Sequence, residues 1–467
     1  MKFSPLSLLL IVVLFFNFNV STAQDKPITE KYKEQAIYRL SELMNDFYVF
    51  PEVAKLTEEH LMTQLKEGHF EQFGNDVTFA VALTESVQDI NKDKHMRIRS
   101  NRPYVAPANS PDRMIEVHND QINRSRRSNA GFSSVKIMEG NVGYLDLRGF
   151  AGLENGKAVA DAYMKLMSRT DAIIIDLSKN GGGSPNMVQY LCSFFFDKKL
   201  HLNSLYWRER NETREFWTLD EVEGIKMPDV PLFIMTSSST FSGAEEFSYN
   251  MQTQKRAILI GQTSGGGANP GGTMRINDNL SVFIPTGRAI NPITKTNWEG
   301  VGVIPEVETT IEETLDKAHE LAKKAAEGYR TKTKERYSKL FLNLNSKFDS
   351  YTSGKSEEAI LKGLTECHDI KLLGEGDINS LGYEYLMEHK KPKIAESIFR
   401  ANTILNPNSA NVFDSYAESL MLNGNLESSL KNYQRAVKVA IDNEDRDIDL
   451  FKKNLENIKS KIKANKP

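Results

Sequence analysis

PLFIMTSSSTFSGAEEFSYNMQ, residues Pro231–Gln252, joins an apolar run to a helix-like run through a loop rich in hydroxyl groups. The run Pro231–Thr236 favours a buried strand, and Ser242 stands where the helical pattern begins. A side chain at a helix N-terminus lies beside free N–H groups that stabilise negative charge. Ser242 is therefore a candidate nucleophile, although Ser242-Gly243-Ala244-Glu245 also fits a helix-capping box.

The overall composition is that of an ordinary folded protein, with 467 residues, 40% hydrophobic and 26% charged. This length favours about two to four domains. The formal net charge is −3 and no long basic run is present, so we expect no nucleic-acid partner. The only cysteines, Cys192 and Cys367, are far apart, and the histidines form no HExxH pattern. The sequence therefore predicts neither a disulfide framework nor a metal or cofactor.

Residues 1–23 have the pattern of a signal peptide. Lys2 precedes the apolar run Leu8–Phe16, and Ser21-Thr22-Ala23 offers small residues for cleavage. The apolar run is too short for a comfortable membrane span, although an uncleaved N-terminal anchor is the alternative. We expect an exported protein, periplasmic or extracellular, with no stable membrane span after removal of the signal.

Residues 24–100 are predicted to form an N-terminal helical domain. Apolar residues recur at helical spacing over Glu30–Leu65, interrupted at Pro51, and again from Val77 to Ile90. His95 is expected just beyond the last helix, beside Asp93. Residues 101–131 are polar and contain several prolines, which predicts an irregular linker.

Residues 132–325 are predicted to form an α/β domain. The apolar runs 142–148, 171–177, 231–236 and 257–261 alternate with helical patterns, as in a mainly parallel sheet covered by helices. Functional groups gather at the carboxyl ends of such strands. The loop Asn180–Gly183 and the loop before Ser242 both follow strands, so we expect them at the same edge.

Residues 326–370 are predicted to be a helical linker, and residues 371–467 an all-helical domain. Ala395 and Phe399 match Ser429 and Tyr433 at a shift of 34 residues. This period resembles that of tetratricopeptide repeats, which can bind a protein partner. An unspecific helical bundle is the alternative.

The glycine loop Gly181–Gly183 could supply backbone N–H donors for an oxyanion, because no Cβ blocks their approach. A simple tight turn is the alternative. A phosphate loop is not favoured, since neither GxxxxGK[ST] nor GxGxxG is present at this strand end.

Several motifs resemble the carboxyl-terminal processing (tail-specific) serine peptidases, serine peptidase family 41. They are TSSSTFSGAEEF (236–247), RAILIG (256–261) and GGGANPGG (265–272). GRAINP (287–292) and NWEGVGV (297–303) are similar to the branch named after interphotoreceptor retinoid-binding protein. The resemblance implies a ClpP/crotonase-like spiral β-β-α catalytic core.

The resemblance also implies the site residues. The nucleophile falls on Ser242, and the oxyanion or substrate-binding donors fall on Gly181, Gly182 and Gly243. The processing branch uses a lysine base, but glycine occupies that position here, at residue 266. Similarity to the tricorn-like branch, which uses serine, histidine and glutamate, points instead to His95 and Glu299.

The sequence therefore predicts an exported serine-type endopeptidase that cleaves peptide or protein substrates. Taken alone, His95 would be a surface residue at a helix end and Glu299 a solvated loop acid. Two other functions remain open. One is a non-catalytic binding protein for an apolar ligand, such as a retinoid or fatty acid, on the same fold. The other is an interaction scaffold that acts through the C-terminal repeats.

Overall fold

The computed structural model of the chain describes residues 27–101, 111–352 and 354–464. These residues fall into two compact units, which divide between Tyr329 and Arg330 and are described separately. The expected signal segment, residues 1–23, lies outside the described residues. In the described ranges, no helix combines the length and the apolar character that a membrane crossing requires.

The first unit begins with helices and continues as alternating strands and helices. Its N-terminal elements are α1 (Glu30–Phe47), α2 (Pro51–Lys66), α3 (Asp76–Asn91), β1 (Ile98–Ser100) and α4 (Pro111–Arg127). The next elements are β2 (Phe132–Met138), β3 (Val142–Leu147), α5 (Leu153–Met167), β4 (Ala172–Asp176), α6 (Pro185–Ser193), β5 (His201–Trp207), β6 (Glu212–Trp217), β7 (Leu232–Thr236), α7 (Gly243–Thr253) and β8 (Ala257–Gly261). The last are β9 (Gly271–Arg275), β10 (Leu280–Pro285), β11 (Gly287–Ile290), β12 (Val307–Glu308) and α8 (Thr314–Asp349).

The central sheet confirms the predicted parallel architecture. Its six strands lie in the order β12-β8-β7-β4-β3-β2, and every neighbouring pair is parallel except β2 with β3. Strands β4, β7 and β8 are apolar along almost their whole length because both faces of the sheet are covered. One face packs on α5, α6 and α7, and the other packs on buried alanines of α8. The expected fold class, an α/β core with N-terminal helices and a C-terminal helical region, is confirmed.

A second sheet joins the N-terminal helices to a distant part of the chain. Strand β1 pairs with β10, and β10 pairs with β9, all antiparallel. The inner face of β10 carries Leu280, Val282 and Ile284, which are buried in one core with side chains of α1 and α3. The N-terminal helices are therefore completed by residues that follow the central sheet in sequence. A third sheet has the order β11-β5-β6.

Helix α4 differs from the sequence-based expectation of an irregular linker over residues 101–131. The prolines suggested irregular structure, but Pro111 stands at the first position of a helix of 17 residues. Proline is tolerated there because the first helical N–H groups have no partner within the helix. The preceding residues, 102–110, lie outside the described ranges.

The second unit is helical throughout its described residues. After the end of α8 it contains α9 (Glu357–Asp369), α10 (Glu375–Tyr383), a π-helical turn (Glu384–Glu388), α11 (Pro392–Leu405), α12 (Ala410–Leu422), α13 (Leu426–Asp442) and α14 (Ile448–Ala464). The four residues of the 34-residue period, Ala395, Phe399, Ser429 and Tyr433, are all buried. Burial of both residues in each matched pair is compatible with the predicted repeat. Assignment to tetratricopeptide repeats stays a prediction.

Candidate active site

Ser242 occupies a sharp turn between a strand and a helix. Strand β7 ends at Thr236, and α7 begins directly after Ser242. The backbone of Ser242 has φ 55° and ψ −120°, a region that non-glycine residues seldom occupy. Such strain persists only where the surroundings enforce it, and it is often found at functional positions. A strand–turn–helix arrangement also presents the nucleophilic serine of α/β-hydrolases at the edge of a sheet.

The carboxylate of Glu245 enforces this turn. Its Oε2 accepts the N–H of Ser242 and the N–H of Gly267, both at 2.8 Å. Its Oε1 accepts the Ser264 hydroxyl at 2.5 Å and the Gly266 N–H at 2.6 Å. The side chain is fully buried, and burial raises the pKa of this carboxyl. One acidic side chain thus fastens the Ser242 turn to the glycine-rich loop 264–267.

The glycine loop after β4 lies directly against the Ser242 turn. A Cβ on Gly182 would lie 2.7 Å from the nitrogen of Gly243 and 2.8 Å from Cβ of Ser242, so only glycine fits. The N–H of Gly182 donates to Oδ1 of Asn180 at 2.8 Å, which makes it unavailable to a substrate. This corrects the expectation that Gly182 supplies an oxyanion donor.

Two other N–H groups lie at this junction. A Cβ on Gly243 would lie 3.0 Å from the nitrogen of Gly183, so the two backbones are in contact. No backbone hydrogen bond joins the N–H of Gly183 or of Gly243 to another described residue. Gly181 is exposed one residue before Gly182, and a Cβ there would meet no atom within 4 Å. Gly183 belongs to the glycine loop that the sequence suggested as a source of donors, although the family resemblance pointed to Gly181 and Gly182 within that loop.

His95 lies just beyond α3, as predicted. Asp93 fixes the local backbone because its Oδ1 accepts the His95 N–H at 3.0 Å. The imidazole packs between two aromatic rings, with centroids 4.5 Å from Phe241 and 5.6 Å from Phe283. A Cβ on Gly267 would lie 2.7 Å from Cε1 of His95, so the glycine-rich loop closes over the ring. Burial, together with the charge of Arg97, lowers the pKa of His95 to about 4, which leaves the imidazole neutral at neutral pH.

Two buried carboxylates flank the imidazole. Nδ1 of His95 is buried without a hydrogen-bond partner and lies 3.9 Å from Oδ1 of Asp93. One atom from each of Asp93, His95 and Glu299 lies within 4.8 Å of those of the other two. Oε2 of Glu299 accepts the N–H groups of Ala268 at 2.5 Å and Asn269 at 3.1 Å, whereas its Oε1 has no partner.

The electrostatic state of the carboxylate pair follows from its burial. Loss of hydration raises the pKa of both Asp93 and Glu299, and the charge of Asp93 raises that of Glu299 further. Adjacent buried carboxylates resist double ionisation, so the pair retains a proton to higher pH than exposed acids do. The three side chains are also of the types that bind a divalent cation.

The structure brings His95 and Glu299 together but does not join His95 to Ser242 by a hydrogen bond. Phe241, the neighbour of Ser242, makes the contact with the imidazole instead. Catalytic hydrogen bonds are often long before substrate binds, so this separation does not exclude the pair.

Gly266, at the position where the resemblance would place a lysine, has no room for a side chain. Its φ is +80°, and a Cβ would lie 3.1 Å from the nitrogen of Gly302 and 3.2 Å from the carbonyl carbon of Gly300. Its N–H is also held by Glu245. The described backbone therefore excludes a lysine base at residue 266.

Asp93 and Glu245 are site residues that sequence reasoning did not select. Glu245 was visible only as the acid of a capping box, and Asp93 only as a neighbour of His95. Both are buried polar residues, and a charged residue in a sequence ordinarily indicates a solvated position. The glycine-rich run 264–267 was the one available signal for these residues. Its backbone can approach other segments closely, and its buried N–H groups then need acceptors such as a carboxylate.

Two protein-family models match the chain. Residues 141–309 match peptidase family S41, and residues 22–130 match the N-terminal domain of peptidase S41 in eukaryotic IRBP. Among solved structures, mature CPAF is 12% identical, with coverage of 64% of this chain and 98% of that chain and a TM-score of 0.44.

Two further solved structures are similar over much of the chain. A lipoprotein from Streptococcus agalactiae is 16% identical, with coverage of 64% of this chain and 98% of that chain and a TM-score of 0.42. The photosystem II D1 C-terminal processing protease is 11% identical, with coverage of 61% of this chain and 94% of that chain and a TM-score of 0.37. The two family matches identify the chain as a member of peptidase family S41, with that family's N-terminal domain preceding its peptidase domain.

Proposed function

We propose that the chain is a serine-type endopeptidase that hydrolyses peptide bonds through an acyl-enzyme. The observation that carries this proposal is the strained turn at Ser242, which is held by a buried carboxylate and faces unpaired N–H groups. The hydrogen bond from the Ser242 N–H to Glu245 also occurs in a capping box, but an ordinary cap residue has extended backbone angles, which Ser242 does not have. The Ser242 hydroxyl makes no cap hydrogen bond.

In the proposed mechanism Ser242 Oγ attacks the scissile carbonyl carbon and gives its proton to Nε2 of His95. The N–H groups of Gly183 and Gly243 stabilise the oxyanion of the tetrahedral intermediate. The imidazolium then protonates the leaving amine, and the C–N bond breaks to leave an ester on Ser242. A water molecule, deprotonated by His95, hydrolyses the ester and restores the serine.

Asp93 and Glu299 support His95 in this scheme. Asp93 approaches Nδ1 of the ring, and Glu299 belongs to the same cluster. We assign Nε2 to the proton transfer with Ser242. A negative charge beside Nδ1 stabilises the imidazolium that forms during each proton transfer. We assign the orienting role to Glu299, whose buried Oε1 has no hydrogen-bond partner, and we regard Asp93 as a second carboxylate that fixes the backbone of His95.

The proposed endopeptidase is exported. This part of the proposal rests on the signal-like sequence of residues 1–23, which precedes the described residues. Cleavage after Ala23 would leave Gln24 as the first residue of the mature chain. Intact-mass measurement of the secreted protein tests this directly, and retention of the first 23 residues would contradict it.

The apolar-ligand function receives no support from the two cavities that adjoin the site. The cavity beside Gly182 has a volume of about 590 Å³ and includes Arg127 and Arg148 in its lining. The cavity beside His95 has a volume of about 710 Å³ and includes three basic side chains. A retinoid or fatty-acid site would be lined mainly by apolar side chains. Protein binding by the C-terminal helices is compatible with the peptidase and stays a proposal.

Hydrolysis of a quenched fluorescent casein tests the proposed activity. Ser242→Ala and His95→Ala should each reduce kcat/KM by about 10³-fold or more, since nucleophile and base act as one unit. His118→Ala, which removes an exposed histidine of α4, is the matched control and should keep the wild-type rate. Undiminished hydrolysis by folded Ser242→Ala would overturn the proposal.

A further inference from the structure

The cavity beside His95 lies on the exposed face of the sheet formed by β1, β10 and β9. Alternate residues of these strands point to opposite faces, so Ile98 and Val282 enter the core while their neighbours face outward. Arg99, Ser281 and Thr273 line the cavity from this outer face, and His95 stands at one end of it. Its volume of about 710 Å³ accommodates several residues of an extended peptide.

The charges of this cavity are all of one sign. Lys94, Arg97 and Arg99 line it, and no aspartate or glutamate does. The Nζ of Lys94 donates to the carbonyl oxygen of Gly265 at 2.6 Å, and Nε of Arg97 donates to the carbonyl oxygen of Lys94 at 3.1 Å. No described carboxylate forms an ion pair with these three side chains.

A concave surface with one sign of charge concentrates ligands of the opposite sign. The cavity is therefore complementary to carboxylate groups rather than to apolar or basic ones.

The position of His95 indicates which side of the scissile bond would bind in the cavity. The imidazole must reach the leaving amine to protonate it, so the segment released as the amine product lies on the His95 side. Lys94 and Arg97 immediately flank His95 in sequence and line the same cavity. We therefore expect these cations to face residues that follow the scissile bond.

We propose that this basic cavity selects substrates that carry aspartate or glutamate side chains on the leaving-group side of the scissile bond. The inference rests on the proposed peptidase function and names its substrate class.

Binding to the Ser242→Ala variant tests the selectivity without turnover. The probes are fluorescein-labelled, amidated dodecapeptide pools that are identical except for glutamate or glutamine at their variable positions. At low ionic strength the glutamate pool should bind about tenfold more tightly, and the difference should shrink as salt is added. Adding Arg99→Gln should remove most of the preference, whereas adding Arg210→Gln, at an exposed arginine outside the cavity, should retain it.

Cleavage-site mapping with the wild-type chain locates the acidic residue. Products of the glutamate pool, identified by mass spectrometry, should be enriched several-fold in glutamate after the scissile bond, and Arg99→Gln should lose this enrichment. Tight binding of free-acid peptides but not of amidated ones would assign the cavity to the terminal carboxylate and overturn the side-chain inference.

The two proposals fail in distinguishable ways. Equal binding of the glutamate and glutamine pools by folded Ser242→Ala would overturn the selectivity, even if the wild type cleaves both pools. A clear glutamate preference in binding, with no cleavage by the wild type, would instead support the cavity and contradict the peptidase.

Discussion

At the scale of single residues, the carboxylate of Glu245 holds the backbone turn at Ser242. Two of the four hydrogen bonds to this carboxylate come from Gly266 and Gly267, and a third comes from the backbone of Ser242 itself. Its geometry explains why a non-glycine residue remains at φ 55°. A buried acceptor that satisfies several donors is costly to alter, since the donors are left unpaired.

Glu245→Gln should therefore destabilise the fold and slow catalysis. The glutamine NH₂ group would face either the two N–H groups at Oε2 or the Ser264 hydroxyl and one N–H group at Oε1, so at least one hydrogen bond is replaced by repulsion. We expect a loss of about 3 kcal/mol in the free energy of unfolding and a reduced kcat. Urea denaturation and casein hydrolysis measure the two effects, with exposed Glu209→Gln as the control. An unchanged free energy of unfolding would contradict the claim that the Glu245 carboxylate holds the Ser242 turn in place.

The buried carboxylate pair gives the activity a characteristic pH dependence. Because the pKa of Glu299 is raised by burial and by Asp93, the pair loses its last proton at higher pH than exposed acids do. Each lost proton adds negative charge beside the imidazolium, so kcat/KM should rise with pH through this ionisation. Glu299→Gln should abolish the rise.

Asp93→Asn should shift this pH dependence of kcat/KM in a defined direction. Removal of the neighbouring negative charge makes ionisation of Glu299 easier, so its pKa falls and the rise in kcat/KM should move to lower pH. Asparagine keeps the oxygen that accepts the His95 N–H. A rise that stays in place, or moves to higher pH, would show that the two carboxylates do not interact as described.

At the scale of structural elements, the glycine-rich loop between β8 and β9 connects the parts of the site. Its residues 264–267 bind Glu245, its next two residues bind Glu299, and Gly267 contacts the ring of His95. The loop thus contacts both the Ser242 turn and the end of α3. Close approach of backbone from several directions accounts for its run of glycines.

Gly266→Ala should destabilise the fold, because this position requires glycine. Alanine is disfavoured at φ +80°, and its Cβ would press on the backbone of Gly300–Gly302. We expect a loss of about 1–3 kcal/mol in the free energy of unfolding, together with reduced activity. Gly272→Ala is the matched control because a Cβ there meets nothing within 4 Å. Equal stability of the two variants in urea denaturation would contradict the argument.

Elements with a strong local pattern could be predicted from the sequence. Strands β4, β7 and β8 are continuous apolar runs, and the turn at Ser242 follows one of them directly. The sheet of β1, β9 and β10 could not be predicted, because Ile98 pairs with Val282 far along the chain. Helix α4 was missed because Pro111 indicates a break unless it is known to be the first residue of a helix.

The candidate site could be predicted only in part. Ser242 was a candidate from its position at a helix start, whereas His95 and Glu299 came from the resemblance to the family. The hydrogen bond from the Gly182 N–H to Asn180 is a tertiary detail that the glycine pattern does not specify. The burial of Asp93 could not be predicted from the sequence either, since an aspartate near His95 could equally be exposed to solvent.

At the scale of the whole molecule, the first unit contains every residue of the proposed mechanism. Its cores include the apolar sheet faces, the N-terminal helices and the first turns of α8. Ala318, Ala322 and Ala326 of α8 are fully buried against the central sheet. The first unit therefore has the cores that independent folding requires.

A chain that ends at Lys332 should fold and keep its peptidase activity. It retains the buried alanines of α8 and loses the helices of the second unit. We expect casein hydrolysis within about twofold of the full-length rate, measured beside thermal unfolding followed by circular dichroism. Loss of activity with retained folding would assign the second unit a part in catalysis or substrate capture.

The most direct test of the account is covalent capture of Ser242 by a fluorophosphonate probe, followed by peptide mass mapping. The nucleophile assignment predicts one modified residue, Ser242, in the wild type and in the neighbouring hydroxyl variant Ser239→Ala. It predicts no modification in Ser242→Ala and a strongly slowed reaction in His95→Ala. A folded wild type that stays unlabelled, or that carries the probe on another residue, would contradict the central claim.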